Sequence, residues 1–184
     1  MKFREFLETA PEFSNLTPQD IDDLEHIMRV SKHPDGYEFF KEGTTGHNIY
    51  LVVEGLVSVT HKKESQRGSL EIKRHQAGEM FGLISGITDQ KHQASCHCIG
   101  NVTVASIPKP VFKVLFDSNS ALALHFQELV TTQLAKDYSS LANLIRHALL
   151  AENEEEIQAM FEQLSGSTYK GPEKRVGERR QSIH

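Results

Sequence analysis

Residues 46–61, Gly46-His47-Asn48-Ile49-Tyr50-Leu51-Val52-Val53-Glu54-Gly55-Leu56-Val57-Ser58-Val59-Thr60-His61, decide the fold. Two β-branched and aromatic runs flank a glycine, which predicts one long strand from Asn48 to His61 that bends or bulges near Gly55. Downstream, the polar segment Lys62 to Gly68 reads as a hairpin loop, and Leu70 and Ile72 open the return strand. Ala77-Gly78 and Phe81-Gly82 punctuate the next stretch, and a polar segment follows from Thr88 to His92. Two short strands are then expected, near Ala94 to Ile99 and Val102 to Ile107. Upstream, Pro34-Asp35-Gly36 is a turn, Tyr37 to Lys41 a short aromatic strand, and Glu42-Gly43-Thr44-Thr45-Gly46 a second turn. Many short strands between glycine-rich turns predict an all-β sandwich or barrel.

Helices bracket this region. Phe3, Phe6 and Leu7 have helical spacing before Pro11 interrupts. Thr17 suits a helix cap, Pro18 the first helical position and Asp20 the positive helix start. Ile21, Leu24, Ile27 and Met28 then line one face, predicting a helix from Thr17 to about Val30. Pro108 and Pro110 close the β region, and Val111 to Phe116 reads as a short helix. From about Ser120 to Leu150 neither Gly nor Pro occurs. Val130, Leu134, Leu141, Leu144 and Ala148 fit a heptad seam there, with Asp137 at one of its positions. Leu129, Tyr138 and Ile145 widen that stripe, enough to pack on the β domain and also to pair with a second copy. A homodimer through this helix is therefore expected, with Asp137 solvated or offset.

The chain divides into an N-terminal helical segment (1–16), the β domain with its C-terminal helix (17–150), and a tail (151–184). The tail holds an acidic helix candidate around Glu154-Glu155-Glu156-Ile157. It then becomes polar and basic, with Lys170, Lys174, Arg175, Arg179 and Arg180. Tyr169 to His184 cannot bury enough apolar surface to fold alone. At 184 residues, 38% hydrophobic and 24% charged, the composition is that of an ordinary globular protein. The net charge of −5 is not that of a general nucleic-acid binder. Two cysteines make no disulfide framework and fit a reducing cytoplasm. The start lacks a signal-peptide core, and Ile49 to Val53 is far too short to span a bilayer.

The order helix, glycine-punctuated β region, short helix, long helix resembles the cyclic nucleotide-binding domain family, of which the bacterial catabolite activators are members. Pro34-x-Gly36, Glu42-Gly43, Gly46-x-x-Ile49-Tyr50-Leu51-Val52-x-x-Gly55 and Gly78-x-x-Phe81-Gly82 fall in order at the family's spacing, within Phe13 to Leu150. The resemblance implies a mainly β fold: a double-stranded β-helix, or jelly-roll-like β roll, with N-terminal helices and a long C-terminal helix. It also implies a ligand cassette, here Phe81, Gly82, Leu83, Ile84, Ser85, Gln93, Ala94 and Ser95.

In the family, a Glu after Phe-Gly accepts the ribose 2′-hydroxyl, and an Arg before two small residues pairs with the cyclic phosphate. In this chain Leu83 stands at the Glu position and Gln93 at the Arg position. Losing two hydrogen bonds to charged groups removes about 3–6 kcal/mol. That is roughly a hundred- to ten-thousandfold in affinity. High-affinity cyclic AMP or cyclic GMP binding is not expected, and no cofactor is implied. The pocket is either filled by its own side chains or open to a more apolar or bulkier ligand.

Other chemistry is poorly supported. Cys96 and Cys98 share a strand face opposite His97, and no second Cys pair completes a zinc site, so both read as small core residues. A cupin-type triad is not assembled around His47, while His61, His75, Lys91 and His92 read as solvated. No Ser-His-Asp spacing, Walker loop or HExxH motif is visible, so no enzyme activity is expected. Bacterial relatives often carry a helix-turn-helix after the long helix, which residues 151–184 do not resemble, so sequence-specific DNA binding is not expected. Arg175-x-x-x-Arg179 has the arginine spacing of cyclic-di-GMP sites in PilZ domains, but the rest of such a barrel is missing. The tail reads as solvated or as a docking peptide for an acidic partner. The sequence thus points to a cytoplasmic, non-enzymatic signalling adaptor with an unidentified protein partner. The alternative is a sensor of a cyclic mono- or dinucleotide through a modified cassette.

Overall fold

The long strand is present and its bend is a true bulge. In the computed structural model, which describes residues 2–62 and 69–150, β3 runs Asn48–Lys62. Ile49, Leu51 and Val53 point to the helical side, while Val52 points into the roll. Register shifts on either side of Glu54 then reverse that parity, and Val57 and Val59 face the roll interior. Gly55 makes the reversal possible. Its φ is +93°, and an added Cβ would lie 2.6 Å from the Asn101 carbonyl oxygen.

The other elements are α1 (Phe3–Thr9), a 3₁₀ turn (Pro11–Phe13), α2 (Pro18–Ile27), β1 (Arg29–His33), β2 (Glu38–Phe40), β4 (Ser69–His75), β5 (Met80–Phe81), α3 (Leu83–Thr88), β6 (Ser95–Pro108), α4 (Lys109–Phe116) and α5 (Ala121–Leu150). The strands pair antiparallel in the order β1-β6-β3-β4, with β2 on β6 and β5 on β3. The fold is mainly β, with helices at both ends, as the sequence implied.

Two expectations change. The second helix stops at Ile27 rather than Val30: Met28 is already extended, and Arg29 to His33 pair with Ser106 to Val102. The spacing of Ile27, Met28 and Val30 mimics a helix face, but a sheet edge on β6 captures the backbone. The two short strands expected after Ala94 are one strand, β6, bent at Gly100, whose N–H donates to Asp35 Oδ1 at 2.7 Å. Thr17 caps α2 as expected, in a reciprocal capping box with Asp20.

Two apolar clusters divide the interior. One lies inside the roll and contains Val52, Val57, Val59, Phe81, Cys96, Cys98, Val102 and Val104. The other joins the sheet's outer face to the helices. There Phe3, Phe6, Leu7 and Phe13 of the N-terminal segment pack with Phe112, Leu122, Phe126 and Val130. Both cysteines are buried, as their strand spacing implied, and burial pushes the Cys96 thiol up to about 12.

One face of α5 follows the roll from end to end of its described side chains. Leu122, Phe126 and Val130 enter the core, and Gln133 reaches the β5 backbone. Asp137 pairs with Lys73 of β4 at 2.5 Å. So Val130 and Asp137, both placed in the dimer seam by their heptad register, engage the helix's own roll. The side chains of Leu141, Leu144 and Ala148 lie outside the described residues, as do residues 63–68 and the tail from 151 onward.

Candidate functional site

The cassette segment begins where β5 leaves β3. Tyr50 and Leu51 pair with Phe81 and Met80, and the chain then turns at Gly82, φ +79°, into α3. A side chain at Gly82 would adopt that left-handed backbone only with strain. At its far end α3 is fixed by α4. Lys109 Nζ donates to the Ser85 carbonyl at 2.7 Å, and Lys109 and Lys113 both grip Asp89 at 2.6 Å. Those two ammonium groups hold the Asp89 carboxyl down to about 2.

Behind α3 the chain returns through His92. This histidine is buried, not solvated: it stacks on Phe40 with centroids 3.6 Å apart and planes at 4°. Its Nδ1 lies 3.0 Å from Ser85 Oγ, which itself donates to the Gly82 carbonyl at 3.0 Å. Its backbone ties the preceding turn, with Gly43 N–H donating to His92 O and His92 N–H to Thr44 O. Burial lowers its pKa, favouring the neutral ring. His75 is buried as well, and stacks on Phe81. Burial, followed by the nearby Lys73, pushes it down to about 4 although Glu79 lies 3.3 Å away.

These elements enclose a cavity of about 350 Å³ between β5–α3, the strand ends and α5. Of the cassette residues, Phe81, Gly82, Leu83, Ile84, Ser85, Gln93 and Ala94 line it. Ser95 does not; its Oγ accepts from the Glu42 N–H at 3.0 Å. Leu83 is buried and belongs to the helix-side core cluster while also facing the cavity. Gln93 is exposed and bonds Gln90. The sequence reading missed Phe40, His75, His92, Gln133 and Asp137 as wall residues, and it assigned Leu134 to a dimer seam. Among the described lining residues none is Lys or Arg.

Gln133 is the joint between the cavity and α5. Its Oε1 accepts from Met80 N at 2.9 Å and its Nε2 donates to Met80 O at 2.7 Å, so the side-chain amide pairs with β5 much as another strand would. Lys73 and Asp137 form the next tie along the same helix face.

Residues 31–119 match the family model described as cyclic nucleotide-binding domain. That match spans the roll. The chain is similar to a cAMP-dependent protein kinase regulatory subunit of Colletotrichum orbiculare. The two are 29% identical over 115 residues, which make up 61% of this chain and 28% of that protein. The chain thus spans little more than a quarter of that relative. In fold it resembles the catabolite activator protein of Thermus thermophilus, with TM-score 0.61 and 20% identity over 76% of this chain and 65% of that one. A putative cyclic nucleotide-binding protein from Geobacter metallireducens is similar over 74% of this chain and 98% of its own, with TM-score 0.60 and 24% identity. By name the first of these is a regulatory subunit, the second an activator protein and the third a putative cyclic nucleotide-binding protein. No helix among the described residues is long and apolar enough to cross a membrane.

Proposed function

We propose that the protein is a non-enzymatic regulatory adaptor whose cyclic nucleotide-binding domain does not hold cyclic AMP or cyclic GMP tightly. The observation that carries this reading is the cavity wall: Leu83 and Gln93 line it, and no Lys or Arg does among the described residues. A cyclic phosphate entering such a wall gives up water without gaining a charged partner. A ribose hydroxyl at Leu83 meets methyl groups. The charge-assisted hydrogen bonds that would offset desolvation are worth about 1.5–3 kcal/mol each.

The kinship with kinase regulatory subunits supports a role exerted on another protein. In this reading the chain works in the cytoplasm, pairs with a second copy through the far half of α5, contacts an acidic partner through its basic tail, and does not read DNA sequence. Calorimetric titration with cyclic AMP and cyclic GMP tests it: no binding below about 100 µM is expected, and low-micromolar binding of either overturns it. Leu83→Glu with Gln93→Arg should gain affinity for both.

One observation favours a second reading, a nucleotide sensor with a modified cassette: the cavity is open rather than filled by its own side chains. Extending the titration to cyclic-di-GMP separates the two.

A further inference from the structure

We infer that this cavity is a binding site for an uncharged, predominantly apolar small molecule of two or three rings. The inference rests on the reading that the pocket no longer serves a cyclic mononucleotide, and it names what the pocket takes instead.

Size comes first. About 350 Å³ is at the lower end of the range of small-molecule pockets, enough for a compound of two or three rings. Its apolar walls are the rings of Phe40 and Phe81, the branched aliphatics Leu83, Ile72 and Ile84, and the thioether of Met80. The apolar surface also continues outward. Ile72, Ile84 and Leu134 line the cavity and remain 41%, 48% and 42% exposed, so they form an apolar mouth rather than a sealed core. Three large aliphatic side chains left in water around one opening are what an apolar ligand would cover.

Charge comes second. Most polar side chains of the wall are already engaged within the protein. Gln133 is paired to the Met80 backbone, Asp137 to Lys73, Ser85 to Gly82 O and His92, and His61 to Glu42. His75, only 7% exposed, lines the cavity with its Nδ1 3.3 Å from Glu79 Oε2. An anion would meet one carboxylate, that of Asp137, and no free cation among the described lining residues, and its desolvation would go unmatched. A neutral ring avoids that cost and gains from burying its faces.

The test uses the full chain and two dyes with one skeleton. N-phenyl-1-naphthylamine is uncharged, and its 8-sulfonate analogue is an anion. Fluorescence titration should show saturable micromolar binding of the uncharged dye at one site per chain, with the sulfonate at least tenfold weaker. Ala94→Trp, which fills the cavity from its wall, should abolish the signal while keeping the wild-type circular dichroism spectrum. Gln93→Lys, at an exposed wall position, should fold normally and narrow the gap between the dyes at least threefold. The inference is wrong if the uncharged dye fails to saturate, if both dyes bind alike to the wild type, or if Gln93→Lys leaves their ratio unchanged. Calorimetry with cyclic AMP on the same sample keeps the two ideas apart. Silence from both cyclic AMP and the uncharged dye defeats only the apolar-ligand inference. Micromolar cyclic AMP binding that displaces the dye defeats the adaptor reading and the inference together.

Discussion

Replacing Gln133 with Ala should loosen the long helix from the rim of the cavity, and the size of the effect follows from two bonds. Gln133 satisfies both backbone groups of Met80, at 2.9 and 2.7 Å, and Met80 is only 3% exposed. Truncation leaves a donor and an acceptor without partners, each worth about 1–3 kcal/mol if dry. Gln133 lines cavities on both sides of α5, so water can reach the orphaned groups and the lower half of that range applies. The expected loss is about 2–4 kcal/mol. At about 2–4 °C per kcal/mol for a chain of this size, the melting temperature should fall by roughly 5–15 °C. Urea unfolding followed by circular dichroism measures the loss, and hydrogen exchange at the Met80 amide localises it. Gln133→Glu keeps the acceptor for Met80 N–H but loses the donor, so it should be destabilised too, with Met80 N–H still protected. A loss under about 0.5 kcal/mol for Gln133→Ala, or unchanged Met80 exchange, would refute the idea that this amide pins the helix.

His75 should make the protein acid-sensitive. Its folded pKa is about 4, below the ordinary 6.5, so between those values the unfolded chain takes a proton that the native one refuses. Stability is intact above pH 6.5 and falls as pH drops toward 4, by about 2–3 kcal/mol. His75→Phe should flatten that limb of the stability–pH curve, and parallel curves for the two proteins would count against it. Gly55→Ala combines a left-handed backbone with a Cβ 2.6 Å from the Asn101 oxygen, so denaturant melts should show a loss of about 2–4 kcal/mol. Light scattering should give about twice the monomer mass, and Leu134→Asp with Leu141→Asp should give folded monomers. A wild type that is monomeric at tens of micromolar rules out pairing through α5.

What the sequence revealed was local chemistry. Thr17-Pro18 announces a helix start because a cap and a ring-locked φ act within one turn, and Gly55 announces a bend because only the glycine fits it. Cys96 and Cys98 fall on one face by strand period alone. What it hid was non-local. His92 sits among Gln90, Lys91 and Gln93, all polar neighbours, yet it is buried because Phe40, half the roll away in sequence, stacks on it. His75 ends a strand, and Phe81 stacks on it. Gln133 carries no signal, since a glutamine on a helix is ordinary until a strand edge lies opposite. Asp137 looked like a flaw in a dimer seam because its partner, Lys73, lies on a strand far upstream. The family glycines marked where the cassette lies, and Leu83 and Gln93 marked how it departs. That the cavity nevertheless stays open depends on how these distant walls meet.

The pairing of β3 with β6 also governs how the chain can be made. Asn48 pairs with Pro108 and Thr60 with Ser95, so the innermost ladder joins segments that leave the ribosome far apart in time. At roughly 5–20 residues per second, β3 waits for seconds with Ile49, Leu51, Val52 and Val53 uncovered. The N-terminal phenylalanines wait longer, since their partners Leu122, Phe126 and Val130 arrive last. Nascent chains halted before Pro108 should therefore be chaperone clients and easily cleaved, and protease resistance should appear abruptly once α5 has emerged.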